Sequence, residues 1–137
     1  MVIEVKAGTG FRRRAMRGFT LMELMVVMAI IATLLTLALP RYFHSVDRSR
    51  EAVLRQDLQI MRDAIDKFMA DRGRYPLTLD ELADKRYLRK VPPDPITESS
   101  DTWVLVPPPE GETRQGVYDV RSGAPGKSLD GEAYESW

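Results

Sequence analysis

Residues 19–38 form an apolar run of 20 positions in which Glu23 is the one charged residue, and this run constrains the fold more than any other feature. As an α-helix the run would rise about 30 Å, the thickness of the hydrocarbon core of a bilayer. We therefore predict a transmembrane helix over residues 19–39. An ionisable side chain inside such a helix is costly, so Glu23 is expected to have a partner and a function.

The charge of the chain is distributed unevenly around this run. The whole chain is formally neutral, but residues 1–18 contain five basic residues and one acidic residue, a net charge of +4 that the remaining residues balance. A basic segment before a membrane helix predicts a cytoplasmic N-terminus, and the C-terminal domain would then lie on the other side of the membrane. The acidic body argues against nucleic-acid binding, because that affinity comes from neutralising phosphates.

A secretory signal peptide is the alternative interpretation of the N-terminal region. Its cleavage site would follow the apolar run, in the stretch "LALPRYF". The run is longer than is usual for such peptides, and neither Glu23 nor the glycine before the run belongs to that pattern.

The residue types present exclude several kinds of catalysis. The chain has no cysteine, which excludes disulfides, cysteine zinc sites and thiol chemistry. Its single histidine, His44, is near Ser45 and Ser49, but no third group is placed to orient a nucleophile. We interpret His44 as a polar residue at the membrane boundary and predict that the protein is not an enzyme.

The stretch after the apolar run predicts an amphipathic continuation of the same helix over residues 40–73. Pro40 predicts a kink where the two halves join, and Gly73 predicts the end of the helix. Apolar residues recur at helical spacing and predict one buried stripe. They are Val46, Val53, Leu54, Leu58, Met61, Ile65 and Phe68.

Residues 74–137 predict a small α+β domain, which we call the cap. Thr78 and Glu81 fit a capping box before a short helix, "LDELADKRYL". Residues 102–106 and 116–120 predict two strands. The tail predicts an irregular loop, pinned by Tyr134 and Trp137. The predicted fold class is therefore α+β, with a long N-terminal helix packed on a small antiparallel sheet and an irregular C-terminal loop.

The stretch "RGFTLMELMVVMAII" resembles the N-terminus of type IV pilins and type II secretion pseudopilins. The resemblance implies that residues 1–18 are a leader, that prepilin peptidase cuts after Gly18, and that the new N-terminus, Phe19, is methylated. In that family a glutamate at the fifth mature position acts in fibre assembly, here Glu23. The proline of the family falls at Pro40. Met16 is an alternative start that would shorten the leader.

The cap is most similar to the major, G-type pseudopilin of type II secretion. The shared features are the short length, "GRYP" after the long helix, "PPDP" after the short one, and an aromatic end. The resemblance implies a structural subunit of a helical fibre that helps to export folded proteins across the outer membrane. The implied partners are other copies of the chain, minor pseudopilins, prepilin peptidase, an inner-membrane assembly platform and the lipid bilayer. A type IV pilin, for adhesion, motility or DNA uptake, is one alternative, and a membrane-anchored periplasmic enzyme or binding domain is another.

Two further expectations depend on this resemblance. G-type subunits bind calcium in a C-terminal loop rich in aspartate, whereas this loop offers Asp130 and Glu132, with Asp119 and Asp101 as further candidates. A solvated acidic loop is the alternative, and we expect no other cofactor. The charges that alternate along the second half of the helix form either a solvated face or ion pairs between subunits. They are Arg48, Arg50, Glu51, Arg55, Asp57, Arg62, Asp63 and Asp66.

Overall fold

The structure is a computed structural model that describes residues 2–4, 8, 10 and 17–137. Most of the predicted leader, residues 1–18, lies outside the described residues, and so does the alternative start at Met16. The chain divides into two compact units, Met1–Leu39 and Pro40–Trp137.

The first unit contains the N-terminal part of helix α1, which as a whole spans Leu21–Arg72. The side chains of its apolar run are exposed, as is expected for a helix that is surrounded by lipid. The hydroxyl groups of Thr33 and Thr36 donate to the carbonyl oxygens of Ala29 and Ala32, each at 2.8 Å. Because those hydroxyls are satisfied within the helix, the run stays compatible with a hydrocarbon environment. The helix is long and apolar enough to cross a membrane.

Pro40 lies inside α1, as the sequence places it, and helical residues continue on both sides. The bend that we predict at Pro40 stays a prediction.

The second unit is built around one stripe of α1. The stripe follows helical spacing and buries Leu54, Leu58, Met61, Ala64, Ile65 and Phe68. The prediction for Val53 was wrong, because this side chain is 46% exposed. Successive residues are rotated by about 100° around the helix axis. Val53, which directly precedes Leu54, therefore points away from the buried stripe. Val46 is only half-buried.

The cap contributes a short helix and two short strands to this core. Helix α2 spans Leu79–Asp84, strand β1 spans Val104–Val106 and strand β2 spans Asp119–Arg121. The strands are antiparallel, with Val104 opposite Arg121 and Val106 opposite Asp119. A single 3₁₀ turn, Tyr134–Ser136, follows in the C-terminal loop. The α+β fold with a long helix on a small antiparallel sheet is therefore confirmed.

The predicted strands are longer than the observed ones, for local reasons. Before β1, Trp103 turns inward, and its indole nitrogen donates to the Pro92 carbonyl oxygen at 2.8 Å. Before β2, the Val117 amide donates to the Pro76 carbonyl oxygen at 2.7 Å, so this stretch closes the turn after α1 instead of extending the sheet. Gly116 allows that path, because its φ is +127° and a Cβ there would lie 2.7 Å from the same oxygen.

Helix α2 is also shorter than predicted. The Glu81 amide donates to the Thr78 hydroxyl at 3.2 Å, which confirms half of the capping box. The Glu81 carboxylate instead accepts from the Leu77 amide and pairs with Arg74, and these bonds lower its pKa, the one from Arg74 most. The helix ends at Asp84, because Arg86 has a positive φ of 65° and the chain turns back there.

Asp94 organises the turn before β1 from inside the core. It is fully buried, and its carboxylate accepts from the Ser122 hydroxyl at 2.7 Å and from the Ile96 amide at 2.8 Å. Next to Ser122, Gly123 approaches the backbone so closely that a Cβ would lie 2.0 Å from the Thr102 carbonyl oxygen. The stretch "DPITES" is thus held by a satisfied buried carboxylate.

We expect Leu58→Ala to lower the free energy of unfolding of the cap by about 3 kcal/mol, since it opens a cavity in the centre of the stripe. Ile60→Ala is the matched control, because Ile60 lies on the same helix with 44% of its surface exposed. This control should cost about 1 kcal/mol or less. Urea unfolding of the full chain in detergent, followed by the fluorescence of buried Trp103, measures both values. Equal losses of unfolding free energy in the two variants would contradict the assignment of Leu58 to the buried stripe.

Candidate processing and assembly site

The predicted cleavage site lies immediately before helix α1. Gly18, Phe19 and Thr20 have no regular secondary structure, and α1 begins at Leu21. Gly18 is exposed, and Phe19 is 91% exposed. A peptidase must hold its scissile segment in an extended form, so a bond outside the helix is chemically the right kind of target.

Glu23 forms a capping box with Thr20 at the N-terminus of α1. One carboxylate oxygen of Glu23 accepts from the Thr20 amide at 2.9 Å and from the Thr20 hydroxyl at 3.2 Å. In return, the Thr20 hydroxyl accepts from the Glu23 amide at 3.1 Å. A negative charge in the first turn also interacts favourably with the helix dipole. The structure therefore gives Glu23 a partner within its own chain.

The role of Thr20 was missed by the sequence-based prediction. The signal was present, because Thr20 and Glu23 have the same threonine-to-glutamate spacing as the box that we predicted at Thr78 and Glu81. The assignment of Glu23 to fibre assembly, and of Gly18 and Phe19 to cleavage and methylation, remains a prediction.

The surroundings of His44 contain no arrangement for nucleophilic catalysis in the described part of the chain. Pro40, Arg41, His44, Ser45 and Arg48 line a shallow exposed depression of about 380 Å³. The Ser49 hydroxyl donates to the Ser45 carbonyl oxygen at 2.9 Å, which is an ordinary bond within a helix.

No three of the four carboxylates named as calcium candidates, all of which the structure describes, converge on one point. Asp119 accepts from Arg62 at 2.8 Å and from the Val120 amide at 2.7 Å. Glu132 accepts from the Trp137 indole at 3.1 Å and lies 3.8 Å from Arg55. Among the residues that the structure describes, no three His, Asp or Glu side chains converge, and calcium takes six to eight oxygens. These residues, with Asp130, therefore do not fit a calcium ion, and Asp101 is exposed.

The charged face of α1 pairs with the cap of its own chain. Arg62 contacts Asp119 at 2.8 Å, and it also donates to the Val120 carbonyl oxygen at 2.9 Å. Arg50 lies 3.8 Å from Glu98, and Arg55 lies at the same distance from Glu132. Pairing between subunits stays a prediction, whereas within one chain Arg50, Arg55 and Arg62 all contact the cap. They bridge elements that are far apart in sequence.

Glu51 was also misjudged from the sequence, which placed it on the charged face. It is only 7% exposed and is continuous with the buried stripe of α1. One of its carboxylate oxygens accepts from the Leu129 amide at 2.7 Å and from the Tyr134 hydroxyl at 2.9 Å. Burial, then the hydrogen bond to Glu51, then repulsion from Glu51, Asp47 and Asp94, raise the pKa of Tyr134 to about 12. Tyr134 and Trp137 thus pin the tail, as predicted.

Comparison with known proteins assigns the chain to a class. Residues 13–39 match the family model described as the prokaryotic N-terminal methylation motif, and this match includes Gly18, Phe19 and Glu23. Together with a long helix packed on a small antiparallel sheet, it defines a pilin-like protein. No solved structure matches the chain at a significant level.

Curated relatives narrow this class to one family. The type II secretion system core protein G of Escherichia coli is 30% identical over 132 residues, covering 85% of this chain and 83% of that protein. Its namesake from Pseudomonas aeruginosa is 32% identical, covering 61% of this chain and 70% of that protein. The chain belongs to the type II secretion system core protein G family. The type IV major pilin protein PilA of Myxococcus xanthus is 37% identical over 66 residues, but covers 48% of this chain and 30% of that pilin.

We expect the stability of the cap to fall between about pH 10 and about pH 12, in part because of Tyr134. The folded state holds its phenol protonated, with a pKa of about 12 against an ordinary value of 10.0. Because folding raises this pKa, Tyr134 stabilises the fold at pH values below its ordinary pKa. That contribution is lost as the pH rises towards the pKa of the folded state.

Melting temperatures of the full chain in detergent from pH 8 to pH 12 check this expectation. Tyr134→Phe should show a shallower alkaline fall than the wild type. The control is Tyr42→Phe, because Tyr42 is 65% exposed, and it should keep the wild-type slope. Identical slopes for all three proteins would contradict the assignment.

Proposed function

We propose that this chain is a structural, non-enzymatic subunit of a type II secretion pseudopilus, which helps to export folded proteins across the outer membrane. The observation that carries the proposal is the relative named type II secretion system core protein G, most of whose length this chain covers. The match to the methylation motif and the apolar helix near the N-terminus support it.

The proposed life cycle begins in the bacterial inner membrane, where α1 anchors the chain by a single pass. The basic segment favours a cytoplasmic N-terminus and a periplasmic cap. Prepilin peptidase then cuts between Gly18 and Phe19 and methylates the new amine. The exposed, non-helical segment around Gly18 supports this step, since no helix has to unwind before cleavage.

Assembly then places the chain among copies of itself, minor pseudopilins and the inner-membrane platform. A helical fibre of this kind is an open, heterologous assembly, in which each subunit contacts the next by the same pair of surfaces. In our proposal, Glu23 of one subunit pairs with the Phe19 amine of another and so sets the register of addition. The capping box holds the carboxylate at the very end of α1, near the position that the new amine occupies.

A type IV pilin is the second candidate, and the similarity to the Myxococcus xanthus pilin is the observation that favours it. That similarity covers 48% of this chain, whereas the similarity to the secretion relative covers 85% of it. The two candidates share the processing step and the role of Glu23, and they differ in the fibre that is built.

Deletion of the gene separates the two candidates when secretion and surface fibres are measured in the same cells. We expect exported proteins to disappear from the medium, while surface fibres and twitching motility persist. A plasmid copy of the wild-type gene should restore export. Loss of fibres or motility with normal export would contradict the secretion role and assign the chain to a type IV pilus.

Two substitutions separate the charge of Glu23 from its capping role. Glu23→Gln removes the charge but keeps an oxygen that can accept from the Thr20 amide. Thr20→Ala removes the cap hydroxyl, at a cost of about 1 kcal/mol in helix stability, but keeps the charge. If the carboxylate pairs with an amine between subunits, Glu23→Gln should abolish fibre assembly and export, and Thr20→Ala should retain most of both.

The readouts are export from complemented deletion cells and the amount of sheared, pelletable fibre. Membrane levels and leader removal, followed by intact mass, should be normal in both variants. Normal assembly of Glu23→Gln would contradict the pairing, even if the secretion role itself is correct.

A further inference from the structure

The C-terminal loop, residues 122–137, is attached to α1 through the buried carboxylate of Glu51. Its two donors, the Leu129 amide and the Tyr134 hydroxyl, come from positions 78 and 83 residues further along the chain. Glu51 is only 7% exposed, and burying a carboxylate to this extent costs folding free energy unless the carboxylate is hydrogen-bonded. The loop supplies both bonds to the same oxygen, so opening the loop breaks both of them.

Arg55, one helical turn after Glu51, makes a second attachment to the same loop. Its guanidinium carbon lies 4.1 Å from the centre of the Trp137 ring, within the range of a cation–π contact. The Trp137 indole donates to Glu132, and Glu132 faces Arg55 at 3.8 Å. We call Glu51, Arg55, Glu132, Tyr134 and Trp137 the loop clamp.

Part of the loop's backbone is paired by hydrogen bonds within the loop. The Ser128 amide donates to the Glu132 carbonyl oxygen at 2.7 Å, and the Gly131 amide donates back to the Ser128 carbonyl oxygen at 2.9 Å. The Tyr134 amide donates to the Gly126 carbonyl oxygen at 3.3 Å. Carbonyl oxygens are the ligands that calcium most often takes from a loop backbone, and here several already accept protein hydrogen bonds.

Two of the carboxylates named as calcium candidates already face arginine. Glu132 faces Arg55, and Asp119 is paired with Arg62. Lys127 pairs across the loop with Ala133 through the backbone and adds another positive charge to the same segment. A metal ion would have to displace arginine from the carboxylates that it needs.

We propose that the loop clamp closes the C-terminal loop in place of a metal ion, so that folding of this loop does not depend on calcium. Glu51 is the principal positioning residue, because its carboxylate joins the loop to α1. The clamp belongs to the fold of the cap, and its test is independent of whether the chain builds a secretion fibre.

Cleavage by trypsin after Lys127 measures the opening of the loop directly. Lys127 is exposed, but the residues around it are held by the clamp, so cleavage there requires the loop to open locally. The release of fragment 128–137 from the full chain in detergent is followed by mass spectrometry, with either calcium chloride or EGTA present.

The wild type should release the fragment at the same rate in calcium and in EGTA. Glu51→Ala should accelerate release about tenfold or more in both solutions, because it removes two hydrogen bonds to a charged group. The matched control is Asp66→Ala, which removes an exposed carboxylate from the same helix and should leave the rate unchanged.

A second variant keeps the proposal testable if Glu51→Ala does not fold. Arg55→Ala changes a side chain that is 57% exposed, so the core should remain intact, and release should be accelerated by about two- to fivefold. The melting temperature of each variant separates local opening from global unfolding. The proposal is overturned if calcium slows release from the wild type several-fold, or if neither Glu51→Ala nor Arg55→Ala releases the fragment faster than Asp66→Ala.

Discussion

The cap depends on the apolar stripe of α1, because its own elements bury too little surface to fold alone. Two strands of three residues each and a helix of six residues have no independent stability. Leu54, Leu58 and Phe68 are fully or almost fully buried, and the cap residues Leu82 and Val120 complete the same core. The helix is therefore the scaffold on which the whole second unit is built, and damage to the stripe removes the cap together with its loop.

Polar contacts then fix which parts of the cap lie on which turn of α1. Arg62 binds both the side chain of Asp119 and the carbonyl oxygen of Val120. It thereby attaches strand β2 to α1, although these residues are 57 and 58 positions apart in sequence. Glu51 and Arg55 do the same for the C-terminal loop, nearer the start of the stripe. Exposed ion pairs contribute little to stability, but partly buried and buried ones specify one arrangement.

How much could be predicted from the sequence depended on the distance over which each interaction acts. The apolar run, the long helix, its end near Gly73 and the capping hydroxyl of Thr78 follow from neighbours within one or two turns, and the structure contains them. Glu51 could not be recognised in this way, because its charge predicts exposure and its donors lie about 80 residues away. The strands were overestimated because Trp103 and Val117 make bonds to other loops. At the candidate site, the motif predicts roles for Gly18 and Phe19 that stay predictions, whereas the capping box between Thr20 and Glu23 depends on residues only three positions apart and had a readable signal.

The capping box changes the energetic argument about Glu23. An isolated carboxylate in a membrane helix needs an external partner merely to be tolerated. Here Glu23 accepts two hydrogen bonds from Thr20 at a helix N-terminus, where the dipole favours a negative charge, so part of its desolvation cost is already offset within the subunit. A contact with the amine of a neighbouring subunit is then not a rescue of an unstable monomer. In the proposed fibre this contact is an additional gain made on assembly, which is consistent with a membrane-inserted monomer that is stable before it assembles.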